Sequence, residues 1–258
     1  MSIAKSAVVS SDAILAPDVV IGPYAIIGPH VTLGAGTIVG PHVRIEGPTR
    51  IGERNRFVGQ ASIGTEPQDL KYGGEPTELV IGDDNVFREF VTVNRGTVGG
   101  GGLTTIGSHN FFMAYAHVAH DCHVGNQTIF ANNATLAGHV DVGDFATIGA
   151  FSAVHQFCRV GRYAFIGGGT IATQDVIPFV KTVGNRPAKT YGINTIGLER
   201  KGFSRETIEA LQRAYRTLVR AKLKLQDALA KIESDQGSYP EAQYFVDFVK
   251  ASTRGFIR

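Results

Sequence analysis

The chain of 258 residues has no tryptophan, only two cysteines and no long apolar segment. Cys122 and Cys158 are too few for a disulfide framework, so we expect a reducing, cytoplasmic environment. No run of about eighteen apolar residues is present, and the N-terminus lacks the basic and then apolar pattern of a signal peptide. These absences predict a cytoplasmic protein without stable membrane insertion.

Charged residues are also sparse, at 19% of the chain, but they are unevenly distributed. Residues 1–180 contain 10 Lys and Arg against 15 Asp and Glu, whereas residues 181–258 contain 15 against 8. A basic C-terminal segment suits an acidic partner, although a solvated helical surface accounts for the same composition equally well.

Glycine, in contrast, is abundant at 32 residues, and much of it belongs to a repeat. An aliphatic residue or Phe recurs every six positions and is commonly followed by Gly, as in Ile21-Gly22, Leu33-Gly34 and Ile148-Gly149. This period fits neither the 3.6 residues of a helical turn nor the alternation of a simple strand. It is typical of a solenoid of short parallel strands. The motif resembles the hexapeptide repeat of left-handed parallel β-helices, in which three repeats form one triangular coil.

The repeat divides the chain into two predicted domains. Residues 1–183 are predicted to form the left-handed parallel β-helix, and residues 184–258 a small α-helical domain, so the fold is mainly β. Interruptions near residues 65–79 and 97–105 predict external loops, which in solenoids often lie on the binding face. In the helical domain, Ser204 is a predicted N-cap and Pro240 a predicted first-turn residue.

His120 is the predicted general base. Residues eighteen apart stack about one strand spacing apart, roughly 4.8 Å, so Gly138 is predicted to lie beside His120 in the next coil. An imidazole that accepts a hydroxyl proton and a backbone N–H that stabilises an oxyanion are what acyl transfer requires. Asp121 would orient the imidazole, provided that the pair lies at a corner, because neighbouring residues on a strand face opposite ways.

A metal site is an alternative interpretation of the histidine cluster. His117 and His123 are one hexad apart and so are predicted on different faces, where one ion would meet both only across a subunit interface. We therefore expect no metal and no cofactor. A histidine on a β surface is also commonly just a hydrogen-bonded polar residue. Cys122 and Cys158 are expected to be small buried hydrophobic residues rather than nucleophiles.

Several motifs resemble those of the UDP-N-acetylglucosamine acyltransferase family, which catalyses the first step of lipid A synthesis, and the resemblance extends essentially end to end. They are Gln68-Asp69-Leu70-Lys71-Tyr72, Gly73-Gly74-Glu75-Pro76-Thr77, Arg95-Gly96-Thr97, Ala119-His120-Asp121-Cys122, Ala131-Asn132-Asn133-Ala134-Thr135-Leu136-Ala137-Gly138-His139, Val154-His155-Gln156-Phe157, Arg200-Lys201-Gly202-Phe203-Ser204 and Ser252-Thr253-Arg254-Gly255.

The resemblance implies that acyl carrier protein delivers a 3-hydroxyacyl thioester and that the sugar 3-hydroxyl of UDP-N-acetylglucosamine attacks it. It implies a homotrimer with sites between subunits, and no nucleic-acid partner is expected. The acidic carrier protein would be the partner of the basic C-terminal segment. The implied roles are the general base (His120), the oxyanion donor (Gly138), sugar and phosphate contacts (Asp69, Lys71), the sugar pocket (His117, His139, Gln156) and other substrate or nucleotide contacts (His155, Asn194, Arg200). Gln68, beside Asp69, is also expected to bind substrate.

Three positions bear on specificity. The resemblance implies an acyl-chain ruler at Gly168, and a glycine there favours a long chain such as 3-hydroxymyristoyl. Asn94 stands where many relatives have His, so a 3-amino acceptor that yields an amide product stays open. Ile196 replaces an expected acidic residue, so a contact with the ribose or the base would differ. The hexads begin at Ile3, which argues against the extra N-terminal domain of the related N-acyltransferase.

Three functions therefore compete at this point. They are an O-acyltransferase that uses acyl carrier protein, a zinc enzyme of the carbonic anhydrase type on the same fold, and a structural solenoid without activity. The third would leave the histidine and amide cluster and both loops unexplained.

Overall fold

Hexad positions face inward on three parallel sheets in the computed structural model, which describes residues 1–258. Successive coils pair in register, as Val118 does with Leu136 eighteen residues later. The predicted fold, a left-handed parallel β-helix with a small helical region at its C-terminal end, is confirmed. The strands of the coils are only two to four residues long because each face of the triangular coil is one hexad wide.

The three sheets, which we call A, B and C in chain order, contain most of the regular structure. Sheet A has eleven strands: Ser2–Ile3, Val20–Ile21, Ile38–Val39, Arg56–Phe57, Val86–Phe87, Phe111–Phe112, Ile129–Phe130, Thr147–Ile148, Phe165–Ile166, Val180–Val183 and Lys189–Ile193. Sheet B has nine: Val8–Val9, Ile26–Ile27, Arg44–Ile45, Ser62–Thr65, Thr92–Asn94, His117–Val118, Thr135–Leu136, Ala153–Val154 and Ile171–Ala172. Sheet C has eight: Ile14–Leu15, Val31–Leu33, Thr49–Ile51, Glu78–Ile81, Leu103–Ile106, His123–Val124, Asp141–Val142 and Arg159–Val160.

The core is a stack of identical positions from successive coils. In sheet A the rings of Phe57, Phe87, Phe112 and Phe130 are fully buried. Their centroids are 4.7 to 4.8 Å apart, which is the spacing of paired strands. Each coil thus buries apolar area against the coils above and below it, and this burial is the main favourable contribution to folding.

Buried asparagines link the coils at the corner between sheets C and A. The Asn55 side chain accepts hydrogen bonds from the backbone and side chain of Asn85, each at 3.0 Å. The side-chain Oδ1 of Asn85 accepts from the Asn110 N–H at 2.8 Å, and Oδ1 of Asn110 in turn accepts from the Thr128 N–H at 2.7 Å. These side chains satisfy backbone N–H groups that the turns leave without a strand partner.

Both predicted interruptions form loops at the corner between sheets B and C. The first loop occupies residues 66–77, between a sheet B strand and the next sheet C strand. The second occupies residues 95–102 and contains the 3₁₀ turn Val98–Gly100. The first loop is three residues shorter than predicted, because its flanking residues continue the strands. The second begins two residues before the predicted start and ends three residues before the predicted end.

Four α-helices follow the last coil. They are α1 (Thr195–Arg200), α2 (Arg205–Tyr215), α3 (Leu225–Gln236) and α4 (Pro240–Lys250), and a π-helical turn, Arg216–Arg220, continues α2. The predicted N-cap is confirmed, since the Ser204 hydroxyl accepts from the Thr207 N–H at 3.2 Å. Pro240 lies in the first turn of α4 as predicted. No helix of the chain combines the length and apolar character needed to span a membrane.

A hairpin joins the column to the helices. Val180–Val183 pairs with Lys189–Ile193 in antiparallel fashion, so strand structure continues ten residues past the predicted domain boundary at residue 183. The boundary was placed where the hexad repeat ends, and the repeat does not extend into the final strand. The guanidinium of Arg162 lies 4.0 Å from the ring centroid of Tyr244 in α4, which packs the helices against the end of the column.

Candidate active site

The corner between sheets B and C brings together most of the predicted site. Both loops emerge there, and His120 and Asp121 occupy a turn of the same corner. Asp121 has a positive φ of 58°, which turns the chain so that two consecutive side chains meet. The condition set by the sequence for an Asp121 role, a corner position, is thus satisfied.

The carboxylate of Asp121 holds the imidazole of His120. Asp121 Oδ2 lies 2.7 Å from His120 Nδ1, and Asp121 is only 2% exposed. In a neutral imidazole this contact places the proton on Nδ1 and leaves the lone pair on Nε2, the arrangement of a general base. Thr97 donates two further hydrogen bonds to the carboxylate, from its N–H to Oδ1 at 2.8 Å and from its hydroxyl to Oδ2 at 2.6 Å.

Gly138 lies against the imidazole, as the eighteen-residue spacing predicts. A Cβ at Gly138 would stand 2.5 Å from His120 Cε1 and 2.8 Å from Nε2, so only glycine leaves the ring in its place. No hydrogen bond within the chain uses the Gly138 N–H. Prolines Pro23 and Pro41 occupy the same turn position in other coils, so the fold does not need an N–H there. The N–H of Gly138 is therefore free for a ligand.

His117 and His139 surround the base. The His117 ring lies 2.7 Å from the Thr92 hydroxyl. Burial lowers the pKa of His117, and the nearby charge of His120 lowers it further, so this ring stays neutral at physiological pH. His139 makes an edge contact with His120 at 5.2 Å between centroids and stacks on Phe157 at 4.4 Å.

Several predicted site residues do not meet His120 within one chain. Gln68, Asp69 and Lys71 lie in the first loop, where Asp69 Oδ1 accepts from the Lys71 N–H at 3.0 Å, and no hydrogen bond joins them to His120. His155 and Gln156 are exposed at the same corner, two coils after His120.

Others lie at different corners of the triangular column. The Asn194 side chain bonds to the carbonyl of Tyr163 at the corner between sheets C and A. Arg200 ends α1 beside that corner, where the next residue, Lys201, contacts Gln127. Gly168 is exposed at the corner between sheets A and B.

The acid and imidazole groups of His120, Asp121 and His139 lie close enough to share an ion, with ligand atoms within 4.8 Å of one another. This set differs from the one considered in the sequence, since His117 and His123 belong to sheets B and C. Both oxygens of Asp121 already accept hydrogen bonds, one of them from His120 Nδ1, so the chain satisfies these donors without a metal.

Neither thiol is suited to be a nucleophile. Burial raises the pKa of Cys122 to about 12 and that of Cys158 to about 11. Both cysteines are free and buried. At neutral pH they are protonated and apolar in character, as the sequence suggested.

Sequence reasoning missed the groups that hold the site in position. Thr97 and Arg95 were assigned only to a motif, yet Thr97 bonds to Asp121, and Arg95 donates to Tyr72 of the first loop at 3.2 Å. Thr104 accepts from the Asp121 N–H at 2.8 Å. The available signal was the run of glycines between Thr97 and Thr104, which allows a loop to lie closely over a side chain.

Comparisons with known proteins show which family the chain resembles. The chain is 50% identical over 258 residues to acyl-[acyl-carrier-protein]–UDP-N-acetylglucosamine O-acyltransferase of Syntrophobacter fumaroxidans, and the alignment covers 100% of both chains. The chain belongs to this acyltransferase family. The relative from Alkalilimnicola ehrlichii is 52% identical over 195 residues, which cover 76% of this chain and 75% of that one.

Family profiles and solved structures agree with this membership of the O-acyltransferases. A profile described as the second domain of UDP N-acetylglucosamine O-acyltransferase matches residues 175–257, and a bacterial transferase hexapeptide profile matches residues 103–138. The structure of LpxA from Acinetobacter baumannii superposes with a TM-score of 0.96 at 46% identity, over 99% of each chain. The resemblance seen in the sequence is confirmed, the protein is an acyltransferase, and the carbonic anhydrase and structural alternatives find no support.

Proposed function

We propose that this O-acyltransferase moves a 3-hydroxyacyl group from acyl carrier protein to the 3-hydroxyl of UDP-N-acetylglucosamine, the first step of lipid A biosynthesis. The observation that carries the proposal is the pairing of a carboxylate-held imidazole, His120, with the unused N–H of Gly138. Relatives at 50% and 52% identity bear the name of this activity.

The mechanism begins with proton removal. Nε2 of His120 accepts the proton of the sugar hydroxyl as its oxygen attacks the thioester carbonyl. Asp121 stabilises the imidazolium that forms, because its buried carboxylate lies 2.7 Å from Nδ1. The Gly138 N–H then donates to the tetrahedral oxyanion. Collapse breaks the carbon–sulfur bond, and the imidazolium returns the proton to the departing thiolate.

Recognition of the acceptor and donor is assigned to the surrounding residues. We assign sugar and phosphate contacts to Gln68, Asp69 and Lys71 in the first loop. We assign the sugar pocket to His117, His139 and Gln156, and further substrate or nucleotide contacts to His155, Asn194 and Arg200. A neutral His117 suits an uncharged sugar. The acidic carrier protein would dock on the groove that Lys181, Arg216 and Arg220 line in the helical region.

A homotrimer would assemble the complete site. The assigned residues lie at all three corners of the column, so His120, Asn194 and Gly168 of a single chain face different directions. Copies packed side by side would bring different corners together. Exposed aromatic residues at the corner between sheets A and B, among them Phe90 and Tyr115 stacked at 4.8 Å, support such packing. The buried free thiols suit a cytoplasmic location.

The deciding experiment is an acyl-transfer assay with 3-hydroxyacyl carrier-protein donors of several chain lengths. UDP-N-acetylglucosamine and its 3-amino analogue are tested side by side, with His120→Ala as the inactive control. Ester formation with a long-chain donor, and loss of nearly all turnover in a folded His120→Ala, are expected. Transfer only to the amino analogue would reassign the acceptor, and full activity of His120→Ala would refute the base.

Sharing of the site between subunits has its own test. His120→Ala and Arg200→Ala are each expected to form trimers with little activity. Refolding a mixture of the two would restore part of the turnover if a site takes these residues from different chains. A mixture no more active than either variant alone would contradict the shared site, as would a monomer in sedimentation.

A further inference from the structure

The segment Asn94–Thr97 lies between the first loop and the His120–Asp121 pair and contacts both. We propose that this segment positions the two halves of the site, with Arg95 holding the first loop and Thr97 holding Asp121. The inference rests on the proposed function, in which the first loop binds the acceptor and His120 transfers the proton.

Backbone hydrogen bonds attach the segment to both ends of the first loop. The Arg95 N–H donates to Thr65, which precedes the loop, at 3.0 Å. The Gly96 N–H donates to Glu78, which follows the loop, at 3.2 Å. The Asn94 amide adds bonds to the Thr65 hydroxyl at 2.9 Å and to the Glu66 carbonyl at 2.8 Å. Asn94 is thus accounted for by contacts within the chain.

Arg95 extends this attachment into the body of the loop. It is a buried cation, 6% exposed, whose guanidinium donates to the Gly64 carbonyl at 2.6 Å and to the Tyr72 hydroxyl at 3.2 Å. The Tyr72 hydroxyl donates onward to the Glu75 carbonyl at 2.9 Å. Asp69 and Lys71 are therefore carried by a loop whose middle is fixed to the column through one buried guanidinium.

Thr97 performs the equivalent role for the carboxylate. Its N–H and hydroxyl bond to both oxygens of Asp121, and it is 7% exposed. Gly100 lies directly on the carboxylate, since a Cβ there would overlap it. Gly96 has no room for a Cβ against the backbone of Leu103, so the segment fits closely over the column. Loss of the Thr97 hydroxyl would leave Asp121 less constrained, and His120 with it.

Thr97→Val removes the hydroxyl while it keeps the volume of the side chain. We expect kcat to fall by up to about 10²-fold with an unchanged KM for the sugar nucleotide, because the base is displaced. Thr97→Ser should restore most of kcat. Thr37→Val, which removes a buried hydroxyl bonded to Gly52 far from the site, is the matched control.

Tyr72→Phe removes the hydroxyl that Arg95 holds. We expect the KM for the sugar nucleotide to rise about tenfold with little change in kcat, and faster protease cleavage within residues 66–77. Arg95→Lys should behave similarly, because an ammonium lacks the planar fork whose two nitrogens reach the Gly64 carbonyl and the Tyr72 hydroxyl separately. Tyr239→Phe, outside the column, serves as the control. If Thr97→Val and Tyr72→Phe changed kcat and KM in the same way as each other, the division of roles between Thr97 and Arg95 would be overturned.

A readout without turnover separates this inference from the proposed function. In histidine-labelled protein, the ring ¹⁵N signals of His120, assigned through His120→Ala, report which nitrogen carries the proton. Thr97→Val is expected to reduce the Nδ1–H form and Thr37→Val to leave it unchanged. Unaltered signals in Thr97→Val would refute the positioning role even if the enzyme is active. Altered signals in a protein that acylates neither acceptor would support the positioning role of Thr97 and would reject the proposed acceptor instead.

Discussion

At the scale of single residues, the reactivity of His120 comes from two neighbours at very different sequence distances. Asp121 is adjacent in the chain, and the turn brings its carboxylate to 2.7 Å from Nδ1. Gly138 is eighteen residues away and reaches the ring because one coil of the column takes eighteen residues. The regular coil thus converts a sequence period into a contact.

Gly138→Ala tests that contact directly. The added Cβ would stand 2.5 Å from His120 Cε1 and push the ring from its position, so kcat should fall by about 10²-fold while the fold persists. Steady-state kinetics and a thermal melt measure the two effects. Gly28→Ala, with its nearest neighbour at 3.3 Å in an early coil, should keep full activity. A fully active Gly138→Ala would contradict the proposed geometry.

Gly168→Met tests the proposed acyl-chain ruler. A side chain at Gly168 starts 3.2 Å from the Ala150 carbonyl and extends outward from an exposed corner. We expect the ratio of kcat/KM for long and short 3-hydroxyacyl donors to shift toward the short ones, with Gly168→Ala intermediate. The donor panel measures this ratio. An unchanged preference in the Met variant would remove Gly168 from the chain-length site.

At the scale of structural elements, the hexad predicted most of the strands but not their ends. A buried aliphatic residue every six positions suffices to define the coil, so the column and both loops were foreseeable. Separate capping signals at Ser204 and Pro240 predicted the starts of two helices. The hairpin strand Lys189–Ile193 and α1 were not, because neither follows a period and both depend on packing against the finished column. The hydrogen-bonded series of Asn55, Asn85 and Asn110, the asparagine ladder, was also missed, because its partners are 25 to 30 residues apart in the sequence.

Asn85→Leu measures what the ladder contributes. It removes the acceptor of the buried Asn110 N–H and the donor to the half-buried Gly107 carbonyl, and it leaves both groups without these partners. The free energy of unfolding should drop by about 3 kcal/mol, measured by chemical denaturation. Asn126→Leu removes an equivalent but exposed acceptor of the Ser108 N–H, where water can substitute, and should cost much less. Equal losses would show that burial of the ladder is unimportant.

At the scale of the whole molecule, the site and the charge are both unevenly distributed. The base and the loops lie at one corner of the column, and the basic surplus lies in the final third of the chain. The proposed assembly of three copies and the proposed docking of an acidic carrier protein would account for both features together. The same uneven charge also predicts a dependence of donor binding on ionic strength.

The double variant Arg216→Glu with Arg220→Glu tests the carrier-protein surface. Reversed charge should raise the KM for the carrier-protein donor about tenfold and weaken its salt dependence, because steering of the acidic partner is lost. The KM for the sugar nucleotide should stay the same. Lys5→Glu at the opposite end of the column is the control. A donor KM that does not respond would move the docking surface elsewhere.

The sequence alone determined the column, the presence of two loops, and the pairing of His120 with Gly138, because a strict period maps sequence distance directly onto space. It also carried the motifs by which the family resemblance was drawn. Only the tertiary structure decided that Asp121 reaches His120, that Arg95 and Thr97 hold the loop and the carboxylate, and that Asn194 and Gly168 face away from the base. Those relations depend on turn conformation and on side-chain packing within irregular insertions, where no period relates a residue to its neighbour.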